Sequence, residues 1–191
     1  MNKGRLEAFS DGVLAIILTI MVLELKVPDE GTLAALYPLA PKFLSYVLSF
    51  IYIAIYWNNH HHLWQAAKHV NSPILWTNLH LLFWLSLIPF VTGWMGENNF
   101  AQLPVLFYGI VLIMAAFAYY LMTLALLANH EKDSALVIAI GNDFKGKISL
   151  VLYAAAILLS YGNALIALAI YAGVAVMWFI PDQRIEKTLR D

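Results

Sequence analysis

The sequence predicts an all-α integral membrane protein of six transmembrane helices, folded as a single domain over residues 1–191. Three observations carry that prediction. Hydrophobic residues fill 62% of the chain and charged residues only 12%, and the mean hydropathy of +0.73 lies far from the soluble balance. The apolar residues gather into stretches close to the ~20 helical residues that cross a hydrocarbon core. Lysine and arginine concentrate in alternate breaks between those stretches, as the positive-inside rule requires.

The first stretch runs from Glu7 to Val27. Lys3 and Arg5 ahead of it resemble the start of a secretory signal. Glu7 and Asp11 fall inside the segment, however, and Glu24 to Pro28 offers no small-residue cleavage site, so the stretch is retained as helix 1. The break Pro28 to Gly31 precedes the second stretch, Lys42 to Trp64. The break Lys68 to Pro73 precedes the third, Pro73 to Met95, which holds Pro89 as its one obvious mid-segment breaker. After Gly96 to Asn99 comes the fourth, Pro104 to Asn129, and the polar run His130 to Lys147 closes it. The fifth, Lys147 to Tyr161, and the sixth, Asn163 to Ile180, are short and parted only by Tyr161-Gly162-Asn163. A tight turn between two helices and one long bent helix both fit that break.

Placing both termini in the cytoplasm puts Lys3, Arg5, Lys68, Lys132, Lys145, Lys147, Arg184, Lys187 and Arg190 on that side and leaves only Lys26 and Lys42 outside. Nine against two favours this orientation and an even number of spans, because five spans would carry the basic tail to the opposite face. The tail Arg184 to Asp191 then caps the last helix in water or at lipid headgroups. The other function classes recede. A net charge of −1 gives no basic excess for nucleic acid, and without cysteine there is neither a disulfide framework nor a thiolate site. No phosphate-binding glycine motif, nucleophile elbow or paired carboxylates appear, so no enzyme activity and no cofactor are expected.

The most informative residues stand at the threshold of helix 1, where Arg5, Phe9, Ser10 and Asp11 precede the charge-free run Gly12 to Leu23. Charge beside hydrocarbon is costly unless paired or wetted, so the cluster serves either as interhelical glue or as part of an ion path. At about 100° per residue, Gly12, Ile16, Thr19, Ile20 and Leu23 share one face, and Ser10 and Asp11 point away from it. By periodicity alone this face is one that packs against neighbours or lipid.

The pattern Arg5-xxx-Phe9-Ser10-Asp11, with the apolar helix directly behind it in a six-helix chain, resembles the transmembrane protein 175 family of potassium channels, in particular its short prokaryotic members. Outside helix 1 the resemblance rests on aromatic, His and Asn residues of helices 2 and 3. It implies a potassium-selective cation channel of the cell membrane that passes potassium passively through a pore lined by helix 1. The carbonyl filter of ordinary potassium channels is absent from that family, and this chain has no Thr-Val-Gly-Tyr-Gly loop. By the same resemblance Ile16 forms the narrowest ring, Ile20 and Leu23 form further apolar layers, and Thr19 supplies a hydroxyl. Arg5, Phe9, Ser10 and Asp11 become structural anchors, and Ala15 stands where some relatives carry Ser. Single-copy members assemble as homotetramers, which agrees with counting: one greasy stripe per chain cannot surround a pore, and symmetric repetition can.

A ring of isoleucines is a hydrophobic gate that excludes hydrated ions when closed and, when open, favours the ion that sheds water more readily, potassium over sodium. Asp11 faces away from this stripe and is assigned to interhelical pairing, with Arg5, Trp57, Asn58, Asn78 or His80 as partners. Glu24, next to Leu23, either draws cations to the outer mouth together with Asp29 and Glu30 or is simply a solvated carboxylate. His60, His61 and His62 are consecutive and point three ways, so no metal site is expected beyond the permeant potassium. They are read as interfacial residues beside Trp57 and Trp64. His80 is expected to bond another helix, and histidine titration makes pH modulation a secondary expectation. A secondary transporter, or an integral membrane enzyme using the His and Asn groups of helices 2 and 3, remains the alternative reading.

Overall fold

A computed structural model describes residues 2–66, 70–128 and 143–179. The basic positions 68, 132, 184, 187 and 190 used for orientation lie outside these residues, as do Asn129, Ile180 and the terminal tail. Among the described residues every regular element is helical. In chain order they are α1 (Lys3–Leu23), a 3-10 segment (Leu33–Leu39), α2 (Ala40–Ala66), α3 (Ser72–Ser86), α4 (Ile88–Glu97), α5 (Gln102–Leu127), α6 (Phe144–Ser160) and α7 (Ala164–Phe179).

Short polar side chains set the starts of four of these helices by accepting from the otherwise unpaired first-turn N–H groups. Asn2 Oδ1 accepts from Gly4 N (3.0 Å), Asn71 Oδ1 from Ile74 N (3.1 Å), Asp143 Oδ1 from Gly146 N (2.9 Å) and Asn163 Oδ1 from Leu165 N (2.9 Å). The last cap resolves the break left open by sequence. Residues 161–163 form a tight turn, and the chain doubles back so that Trp178 Nε1 near the end of α7 donates to Ser149 Oγ near the start of α6 (2.8 Å).

Among the described residues, four helical segments are long and apolar enough to cross a membrane: Lys3–Leu23, Leu33–Gln65, Ser72–Glu97 and Gln102–Leu127. The third is α3 and α4 taken together. Pro89 has no N–H to continue the α3 ladder, so the helix breaks at Leu87 and restarts with Val91 N donating to Leu87 O (3.2 Å). At 17 and 16 residues, α6 and α7 are the short pair.

The core gathers around α5, which buries Val105, Tyr108, Leu112, Ala115, Ala118 and Met122 against α3, α4, α6 and α7. Several of its buried hydroxyls are paired, as hydrocarbon favours. Tyr52 Oη donates to the carbonyl of Tyr171 (2.6 Å), and Ser49 Oγ meets Thr92 Oγ1 (2.7 Å) and Tyr108 Oη (3.0 Å). Two glycines permit close approach. A Cβ on Gly96 would stand 2.8 Å from the Lys42 Cα, and one on Gly109 would collide with the Tyr171 hydroxyl. After α4 the chain reverses through Asn99 and Phe100, both in the left-handed region (φ 48° and 59°), with Phe100 N bonded to Met95 O (3.0 Å).

Candidate functional site

α1 divides sharply into two faces. Leu6, Ser10, Leu14, Ile17 and Met21 recur every three or four residues and are buried against the rest of the chain, with α2, α3 and α4 as neighbours. Gly12, Ile16, Thr19, Ile20 and Leu23 are all exposed, Ile16 at 58% and Leu23 at 80%. An apolar face of this extent on a single chain is covered by lipid, by another copy or by a pore. Thr19 Oγ1 donates to Ile16 O (2.9 Å), which uses its proton inside the helix and leaves its lone pairs as acceptors on the exposed face.

The polar end of α1 is fastened by a network across three helices. Asn78 Nδ2 of α3 donates to the fully buried Ser10 Oγ (3.0 Å), and Ser10 Oγ donates back to Leu6 O (2.9 Å). Asn78 Oδ1 also lies 2.7 Å from His60 Nε2 of α2, and Trp64 Nε1 donates to that same ring nitrogen (2.7 Å). That ring nitrogen has one in-plane site, so according to the tautomer it accepts from the indole or donates to Asn78 Oδ1, while Asn78 Nδ2 stays on Ser10.

Asp11 takes a different partner, Trp57, whose Nε1 donates to Oδ1 (3.0 Å). Arg5, six residues earlier and so about 240° round the helix, is exposed and points elsewhere. Of the other residues considered for this role, Asn58 is exposed on α2 and lines a groove with Phe50, Ala54 and Trp178. His80 differs from expectation: it accepts from Trp84 Nε1 on its own helix (2.9 Å). Phe9 is 53% exposed. Glu24 caps the far end of α1 and lines a cleft with Lys42, Ser45, Thr92 and Glu97, across which Lys42 Nζ and Glu97 Oε1 pair at 3.0 Å. Among the described residues no cluster of three or more His, Cys, Asp or Glu could hold a metal ion.

Sequence reasoning missed His60 and Trp64. It placed the three histidines at an interface, whereas His60 is 1% exposed and completes the network behind Ser10. A repeated pattern could have found it. His60 and Trp64, like His80 and Trp84, are four residues apart, the spacing at which an indole N–H reaches an imidazole one turn away.

The family model described as endosomal/lysosomal potassium channel TMEM175 matches residues 5–89, the segment that holds α1, its anchoring network and the break at Leu87. A potassium channel of Chryseobacterium sp. (strain P1-3) is 56% identical over all of this chain and all of its own. The chain belongs to the TMEM175 family. Its fold superposes on the crystal structure of a lysosomal potassium-selective channel TMEM175 homolog from Chamaesiphon minutus. The TM-score is 0.81 at 27% identity, covering 94% of this chain and 97% of that one. The endosomal/lysosomal proton channel TMEM175 of Bos taurus is 37% identical over 39% of this chain and 18% of its own length. TMEM175 relatives are ion channels, so this chain is a multi-pass membrane protein of a channel family and not an enzyme.

Proposed function

We propose that the chain is one subunit of a homotetrameric, potassium-selective channel of the prokaryotic cell membrane, a single six-span domain with both termini in the cytoplasm. The observation that carries this reading is the division of α1. One face is fastened through Ser10, Asp11, Asn78, His60 and Trp57, while Ile16, Thr19, Ile20 and Leu23 are exposed on the other. Fourfold repetition turns that face inward. Ile16 then makes the narrowest apolar ring, Ile20 and Leu23 stack above it, and the outward lone pairs of Thr19 meet a partly dehydrated ion. The same repetition seats the exposed Phe9 against a neighbouring copy, the place where it can act as an anchor. The close resemblance to a named potassium channel supports potassium as the ion.

Glu24 fits the outer mouth for an electrostatic reason. A carboxylate at a helix C-terminus faces the unfavourable end of the macrodipole, at a cost of about 0.3–1 kcal/mol, so its position is not explained by helix stability. Four copies would concentrate cations before the apolar ring.

The deciding experiment is a reversal-potential measurement on the purified protein in a bilayer, under opposed potassium and sodium gradients. The expected result is passive, non-saturating current that reverses near the potassium equilibrium potential. Flux that saturates and requires a coupled ion would instead support a transporter, for which the break at Leu87 is the structural feature in favour. No flux from a folded oligomer would defeat the channel reading.

A further inference from the structure

Three contacts join the first turns of α1 to the last turns of α2, and they form one series. Lys3 Nζ donates to Gln65 O at 3.4 Å, Glu7 Oε1 lies 3.4 Å from His61 Nδ1, and Trp57 Nε1 donates to Asp11 Oδ1 at 3.0 Å. Each step of four residues forward on α1 is met by a step of four back on α2. That is the register of two antiparallel helices meeting along single i, i+4 rows. Only Asp11 of the three α1 residues belongs to the motif described above.

The middle rung pairs a carboxylate with an imidazole, so its attraction depends on whether the ring holds a second proton. The His61 ring stacks on Trp57 (centroids 6.2 Å apart, planes 18° apart), and its Nε2 lies 2.9 Å from Gln65 Nε2. The Gln65 amide can offer its NH2 to a neutral ring and its oxygen to a protonated one, so the imidazole keeps a partner in either state. The side chains of His61 and Glu7 are 44% and 27% exposed, so protons reach the pair from water.

Among the described residues, the ionisable groups near this rung are few. On α1, Lys3 and Asp11 stand one turn either side of Glu7, and on α2 the neighbours are His60 and His62. On α3, His80 is bonded to Trp84. The one acid of α4, Glu97, is paired with Lys42 at the other end of the bundle, and the one ionisable side chain of α7, Tyr171, is buried in the core.

We propose that Glu7 and His61 are positioning residues for the conduction helix, forming a proton-sensitive rung. With the ring protonated, imidazolium and carboxylate attract and hold the start of α1 against α2. With the ring neutral that attraction is absent. Glu7→Gln removes the attraction and leaves the histidine in place. The proposal rests on α1 being the conduction helix.

The test compares the full-length wild type with Glu7→Gln, His61→Gln and the double variant. Melting temperature in detergent and potassium flux in proteoliposomes are both measured at about pH 5.5 and 8. The wild-type melting temperature is expected to fall by about 1–3 °C more than that of either variant as pH rises, the scale of an exposed ion pair in a chain this long. Wild-type flux is expected to change about twofold across the same window. Each single substitution should flatten both profiles, with nothing further lost in the double variant. Variants that keep the wild-type melting profile overturn the proposal, as does a flattened melting profile with an unchanged flux profile. Should Glu7→Gln fail to fold, His61→Gln on the other helix gives the same readouts. A wild type that passes no potassium at either pH defeats the channel reading instead, and the melting profiles still decide whether the rung exists.

Discussion

At the scale of single residues, α1 uses its two faces for different physics, and each can be tested separately. On the proposed architecture Ile16, which is bulky, β-branched and outward, makes the narrowest ring. Ile16→Asn is expected to wet that ring and lower the preference for potassium over sodium, read as a shift of the reversal potential toward the sodium side. Asn78 of α3 meets the other face, where its amide bridges Ser10 and His60. Asn78→Ala leaves both without that partner in a buried site, at a cost of about 1–3 kcal/mol. A fall of several degrees in melting temperature checks it. The residue types at both sites were legible in the sequence; the pairings were not. Composition and spacing show that Asn78 is a polar group in a span, but which helix it meets depends on how helices rotate about their axes. The same limit explains why His60 was read as interfacial and why His80 turned to its own helix.

At the scale of elements, hydropathy located the four segments that are long and apolar enough to cross a membrane among the described residues, because apolar runs of membrane length leave the backbone no alternative to helix. It was silent on the 3-10 segment Leu33–Leu39, which lies before α2 in a stretch too short to show a period. Pro89 signalled the break in the third span, but its consequence needed the structure. The half before the break carries Asn78 to α1, and the half after it carries Thr92 and Gly96 to α2. Gly96 is the tightest point of the second contact, facing backbone that cannot rotate away. Gly96→Ala forces the added methyl to within 2.8 Å of the Lys42 Cα. The expected cost is about 1–3 kcal/mol, seen as a lower melting temperature with potassium selectivity unchanged in whatever protein folds.

At the scale of the whole molecule, the proposed architecture has each chain of 21.4 kDa give one α1 face to the pore, and closure of that pore then requires copies. Native mass spectrometry under gentle detergent conditions is expected to show four chains, and a monomer or dimer would contradict the assembly. The outward face also bears on biogenesis. The α1 hydroxyls already have bonds within their own chain, and Asp11 has its indole partner, so what α1 turns outward along the bilayer is chiefly hydrocarbon. A newly inserted subunit is therefore a species that lipid can solvate, and assembly can follow insertion as a separate, concentration-dependent step. On the proposed architecture, synthesis alone opens no leak in the host membrane, because the conduit comes into being only when the last copy arrives.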